Sequence, residues 1–193
     1  MLAVMKHIVS VVALLSLLVA SAAEAGGHLA VAPSIWCSTQ DGGDSDVGGL
    51  LKWRQDIGEE GGHWLELRGG FYPGFFADEV DVTVAEIAWI RTVAAQENKM
   101  CYFGAGTGYY SFDSSDAFSW SNPMGAFLLA GMETSTGVEG GCFTFVELSY
   151  AVLRADAATS TEALGISTVP SVELSDTISL DGLRATFGVG FRF

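Results

Sequence analysis

Residues 180–193 read LDGLRATFGVGFRF, and their side chains alternate with almost no error up to the final phenylalanine. Leu183, Ala185, Phe187, Val189, Phe191 and Phe193 share one face; Gly182, Arg184, Thr186, Gly188, Gly190 and Arg192 share the other. A period of two, apolar against polar or glycine, marks a strand with two different solvents beside it. A strand of a soluble sandwich also alternates, but its apolar face rarely carries three phenylalanines running to the last carboxylate.

Working outward from this strand, seven more segments are bounded by glycine, aspartate, serine or asparagine clusters, as strand ends require. They are His28 to Ser38, Val47 to Asp56, Gly62 to Tyr72, Val80 to Val93, Lys99 to Phe112, Met124 to Thr134 and Cys142 to Leu153. The first is the weakest, because Pro33 interrupts it and proline belongs at edges or bulges. The others alternate: Leu51 and Trp53 oppose Lys52 and Arg54, and Leu65 and Leu67 oppose Glu66 and Arg68. Likewise Phe103, Ala105, Thr107 and Tyr109 oppose Tyr102, Gly104, Gly106, Gly108 and Tyr110, while Val146, Leu148 and Tyr150 oppose Glu147 and Ser149. Ala85, Ile87 and Trp89 are placed outward, with Glu86 inward.

Eight strands of this length suit a closed antiparallel barrel, the one sheet that leaves no unpaired edge in lipid. The expected architecture is therefore all-β: an eight-stranded, up-and-down transmembrane barrel. On one side the connections GEEG, AAQENK and GVEGG are short. On the other, STQDGGDSD, PGFFADE, DSSDAFSWSN and Arg154 to Ser179 are long. With the C-terminus periplasmic, this gives the expected short inner turns and longer external loops. A strand within Thr168 to Leu174 replacing His28 to Ser38 would reverse that asymmetry.

The segments GGLLKWRQD, GHWLELRGGFYP, YFGAGTGYYSFD, MGAFLLAGME, FTFVELSYAVL and LDGLRATFGVGFRF together resemble the small bacterial outer-membrane β-barrel domain family, the porin-like and outer membrane protein A-like barrels. The resemblance spans nearly all of residues 26–193, although no peptidoglycan-binding domain follows as it does in outer membrane protein A. It implies residence in the outer membrane of a Gram-negative bacterium, contact with outer-membrane lipid and lipopolysaccharide, and insertion by the barrel-assembly machinery. It also implies that Phe187, Val189, Phe191 and Phe193 form the signal read by that machinery. The family is defined by fold and hosts many roles, so no activity comes with it.

The N-terminus fits export. Lys6 precedes the apolar run Ile8 to Val19, and small residues end in Ala23, Glu24 and Ala25. Residues 1–25 are expected to be a cleaved signal peptide, since about twelve apolar residues fall short of the roughly 20 needed to span a bilayer as a helix. Residues 26–193 then form one barrel domain. Losing Lys6 and Glu24 leaves the formal charge at −14, which argues against nucleic acid or an anionic surface as a partner. A monomer is expected.

Assigning faces puts Lys52, Arg54, Arg68, Arg184 and Arg192 inside with Glu66, Glu86, Glu133 and Glu147, a near balance that a low-dielectric interior requires. An eight-stranded barrel has room inside for little more than its own side chains. The expectation is a salt-bridged plug and a structural or surface-interaction role. The alternative is a narrow pore or small-ligand carrier, opened by breaking pairs such as Arg68 with Glu66 or Glu147. An outer-membrane lipid-modifying enzyme is the lesser alternative: past the leader only His28 and His63 remain, and neither has a neighbouring serine in sequence to form a nucleophile and base. No catalytic residue, cofactor or metal is assigned. GAGTG lacks the helix of a nucleotide loop.

Glycines at 104, 106 and 108, and at 182, 188 and 190, are expected to make space for Tyr102, Tyr110 or Phe145. The acidic loops carry Asp41, Asp44 and Asp46, Asp78, Glu79 and Asp81, and Asp113 and Asp116, but lack the spacing of a dedicated calcium loop. Of three cysteines, Cys101 and Cys142 fall on strands separated by a third, roughly 10 Å apart at strand spacing and beyond disulfide reach.

Overall fold

The computed structural model describes residues 27–39, 45–58, 62–75, 80–113, 118–121, 123–137, 141–160 and 173–193. The expected signal peptide lies outside them, as do most of the acidic loop at 40–44, Asp78, Glu79, Asp116, and parts of the GEEG and GVEGG connections.

Eleven strands are described: β1 (His28–Ser38), β2 (Ser45–Asp56), β3 (His63–Gly74), β4 (Val80–Gln96), β5 (Lys99–Phe112), β6 (Phe118–Trp120), β7 (Met124–Ser135), β8 (Cys142–Val152), β9 (Arg154–Ser160), β10 (Glu173–Ser179) and β11 (Gly182–Arg192). Eight close an antiparallel barrel in the order β1-β11-β8-β7-β5-β4-β3-β2. The seam that closes it joins β1 to β11, from His28 opposite Arg192 to Ser38 opposite Gly182. Pro33 does not break β1. It lacks the N–H for one rung toward β11, yet Val31 with Val189 and Ser34 with Thr186 keep one register on either side of it.

Four expected connections are corrected. The stretches DSSDAFSWSN and Arg154 to Ser179 contain β6, β9 and β10, which form a separate three-stranded antiparallel sheet in the order β10-β9-β6. Leu153 alone separates β8 from β9, so this sheet continues the barrel wall beyond the mouth. In AAQENK only Glu97 and Asn98 turn; β4 runs on to Gln96 through a bulge near Thr92 and Ala94. The loop STQDGGDSD ends earlier than expected, at β2's start on Ser45.

The two faces part as the strand period demands. Val31, Phe71, Ile87, Phe103, Leu128, Val146, Leu148, Phe187, Val189 and Phe191 stand exposed on the outer wall, a belt of large apolar side chains around the barrel. Such a continuous apolar belt is unfavourable in water and matches hydrocarbon. No helix among the described residues is long and apolar enough to cross a membrane.

The glycines of the inner face take their meaning from what they face. A Cβ on Gly106 would lie 2.4 Å from the Phe127 ring, one on Gly131 2.5 Å from Tyr102, and one on Gly190 2.3 Å from Phe143. Gly108 and Gly188 face Tyr110 and Phe145 as expected, but Gly106 makes room for Phe127, Gly190 for Phe143 and Gly182 for Trp36, all outside the expected set.

Candidate functional site

Every residue expected in the lumen faces it. Lys52, Arg54, Glu66, Arg68, Glu86, Glu133, Glu147 and Arg184 are buried, and Arg192 is half-exposed at one mouth. Three connected groups fill the interior from end to end.

At the centre, Glu147 of β8 accepts from Lys52 Nζ at 2.7 Å, Arg68 Nη2 at 3.1 Å and the Tyr102 hydroxyl at 3.1 Å. Arg68 Nε also donates to Glu66 at 2.5 Å, and Lys52 lies 3.5 Å from the same carboxylate. One cation thus serves two anions on strands far apart in sequence. Toward the β1 start, Arg54 donates through Nε and Nη2 to Glu66 at 2.9 and 2.7 Å and also pairs with Glu133. Arg192 reaches Glu133 at 3.3 Å, and His28 Nδ1 stands 3.9 Å from it. Toward the other mouth, Arg184 holds Glu86 through both terminal nitrogens at 2.8 Å each and donates from Nε to Ser149 at 3.1 Å.

Charges taken from water are costly unless each is paired and hydrogen-bonded, and here four fully buried cations meet four buried carboxylates. Rings fill what the charges leave. The Lys52 ammonium sits 4.4 Å from the Phe145 centroid, and the Arg54 and Arg68 guanidiniums lie 4.5 and 5.1 Å from those of Tyr102 and Phe127. Sequence reasoning placed Tyr102, Tyr110, Ser149 and Thr186 on the inner face but not in the network. Tyr110 donates to Glu86 at 2.8 Å, and Tyr72 to Ser34 at 2.9 Å, with Ser34 in turn 3.1 Å from Thr186. An inward hydroxyl at the level of a buried carboxylate was the available signal.

Above Arg184 the mouth with long connections is closed by apolar side chains. Trp36 packs edge-on to Tyr72, Phe75 and Tyr110 with centroids 5.7–5.9 Å apart, and Phe112, Leu153 and Leu180 are buried in the same cluster. The lumenal cavity lined by His28, Lys52, Arg54, Glu66 and Glu133 measures about 10 Å³, room for about one water. A larger concavity of about 1030 Å³ lies on the outer wall between Phe71 and Phe187, and none of the nine charged residues lines it.

The closed eight-stranded barrel is comparable with solved structures. Outer membrane protein AlkL, solved in lipid bilayers, superposes with a TM-score of 0.60 over 88% of this chain and 90% of its own, at 13% identity. Neisserial surface protein A gives 0.56 over 87% and 97%, at 12% identity. The chain has the fold of the small eight-stranded outer-membrane barrels. At these identities the likeness speaks of fold alone. No protein-family profile matches the sequence, and no curated protein is similar enough to match.

Cys37, Cys101 and Cys142 are all free thiols; β7 lies between the strands of Cys101 and Cys142. Among the described residues no three His, Cys, Asp or Glu side chains are grouped to hold a metal. His63 stands on the outer wall, apart from His28 in the mouth, so the two histidines share no site.

Proposed function

We propose that this chain is a small outer-membrane β-barrel protein of a Gram-negative envelope, exported through a cleaved leader, with a structural or surface-interaction role and no catalytic activity. The reading rests chiefly on the filled lumen: an ion-pair network spanning six strands beneath an aromatic lid, beside a cavity of about 10 Å³. A barrel so occupied works through its surfaces. Its partners in this reading are outer-membrane lipid and lipopolysaccharide, with the assembly machinery engaged during insertion through Phe187, Val189, Phe191 and Phe193. The barrel acts as a monomer.

Single-channel recording in planar bilayers tests the reading. A closed lumen gives no steady conductance; reproducible open levels from folded protein would favour the narrow-pore alternative instead. Comparing extracted envelope lipids from cells with and without the protein tests the absence of lipid-modifying activity.

A further inference from the structure

The chain holds nine Lys and Arg residues. Five fill the lumen and Lys6 lies outside the described residues, leaving Arg91, Lys99 and Arg154. Two of these three occur together, on neighbouring strands at one rim of the barrel. Arg91 of β4 stands directly opposite His63 of β3 and Phe103 of β5. Cross-strand partners share a face, and Phe103 is exposed on the outer wall, so Arg91 and His63 are on that wall too.

Trp89, two residues before Arg91, completes the patch: its ring stacks with His63 at 5.5 Å and meets Phe103 edge-on at 6.4 Å. Lys99 lies four residues before Phe103, on the same side of β5 by the strand period. Arg91 and Lys99 are exposed, and among the described residues neither enters an ion pair. The acid nearest Lys99 in sequence is Glu97, in the β4–β5 turn.

Cations with no ion pair among the described residues are conspicuous on a chain of net charge −14. These stand where the apolar belt ends, above an aromatic shelf of the kind that sits at headgroup depth. A guanidinium there meets a phosphate with bidentate geometry, and an ammonium adds a point charge. We infer that this wall of β3, β4 and β5 seats one anionic glycerophospholipid. Its phosphate rests on Arg91 and Lys99 beside His63, and its acyl chains run down over Trp89, Phe103 and Leu65.

This inference rests on the membrane reading above. It is tested by native mass spectrometry of the folded full barrel released from micelles holding equal amounts of phosphatidylglycerol and phosphatidylcholine. Two cations near a headgroup predict a preference for retained phosphatidylglycerol on the order of ten-fold. The double variant R91Q/K99Q should lose that preference and still run as a folded barrel on unheated gels. Arg154→Gln, at the opposite end, should keep it. Equal retention of both lipids by the native protein, or an undiminished preference in R91Q/K99Q, overturns the inference alone. A chain that fails to insert into vesicles overturns the membrane reading and this seat with it.

Discussion

Replacing Arg184 by methionine removes a charge while keeping most of its bulk beside Trp36 and Phe127. Arg184 is fully buried, and its two terminal nitrogens are the principal partners of Glu86, at 2.8 Å each. In R184M, Glu86 retains the Tyr110 hydroxyl at 2.8 Å and a distant Arg68 at 3.8 Å. A buried carboxylate stripped of its partner costs about 3–5 kcal/mol, a large part of the roughly 5–15 kcal/mol that holds a typical domain folded. The companion variant E86Q/R184M removes the anion as well, and Arg68 keeps Glu66 at 2.5 Å and Glu147 at 3.0 Å. With no charge left unpaired, the double variant should recover about 1–3 kcal/mol of the loss. Urea unfolding in lipid vesicles, followed by tryptophan fluorescence, measures both. Unheated-gel mobility shows first that each variant forms a barrel. A loss below about 1 kcal/mol in R184M, or a double variant less stable than R184M, would refute the argument that pairing holds this lumen together.

The seam should be sensitive to volume: a Cβ on Gly188 would lie 2.3 Å from the Val31 carbonyl oxygen. Gly188→Val is therefore expected to abolish the heat-modifiable folded band, whereas Gly69→Val, with nothing within 4 Å, should leave it. Deleting Phe193 should reduce insertion in cells and leave refolding into detergent micelles nearly unchanged, as read by unheated gels in both settings. Alkylation of the unreduced, denatured protein should add three labels by mass spectrometry, one for each free cysteine; a single label would mean that two are bridged.

The barrel strands were legible because each lies between two solvents and records both. Leu51 against Lys52, Leu67 against Arg68 and Phe187 against Arg184 mark wall and lumen without any tertiary information. The same principle explains what was missed. RADAATS of β9 and ELSDTIS of β10 pair beyond the barrel mouth, and neither sustains an alternation of large apolar against polar residues: Ala158 breaks the pattern of Arg154 to Ala157, and Asp176 interrupts the face shared by Leu174 and Ile178. Ala94 to Gln96 extend β4 past the belt and carry no such alternation either. Within the lumen, parity identified the nine charged residues but not their pairing. That Arg54 bridges Glu66 and Glu133, while Arg184 takes Glu86, depends on how the strands stagger around the barrel, a property of closure that no single strand records.

Backbone ladders in a barrel are nearly indifferent to register: slide two strands past each other by one residue, and most hydrogen bonds can form again. The charges are not indifferent. A slip of one residue at β2 would carry Lys52 and Arg54 from the lumen into the wall's outer face, and at β3 it would do the same to Glu66 and Arg68. The partners of these residues lie 79–95 positions apart in several pairs, on strands that do not touch. Each wrong stagger would strand ions in hydrocarbon on one side and leave their counterions uncompensated on the other. The lumenal network thus acts as a combination lock, admitting one alignment of all eight staves.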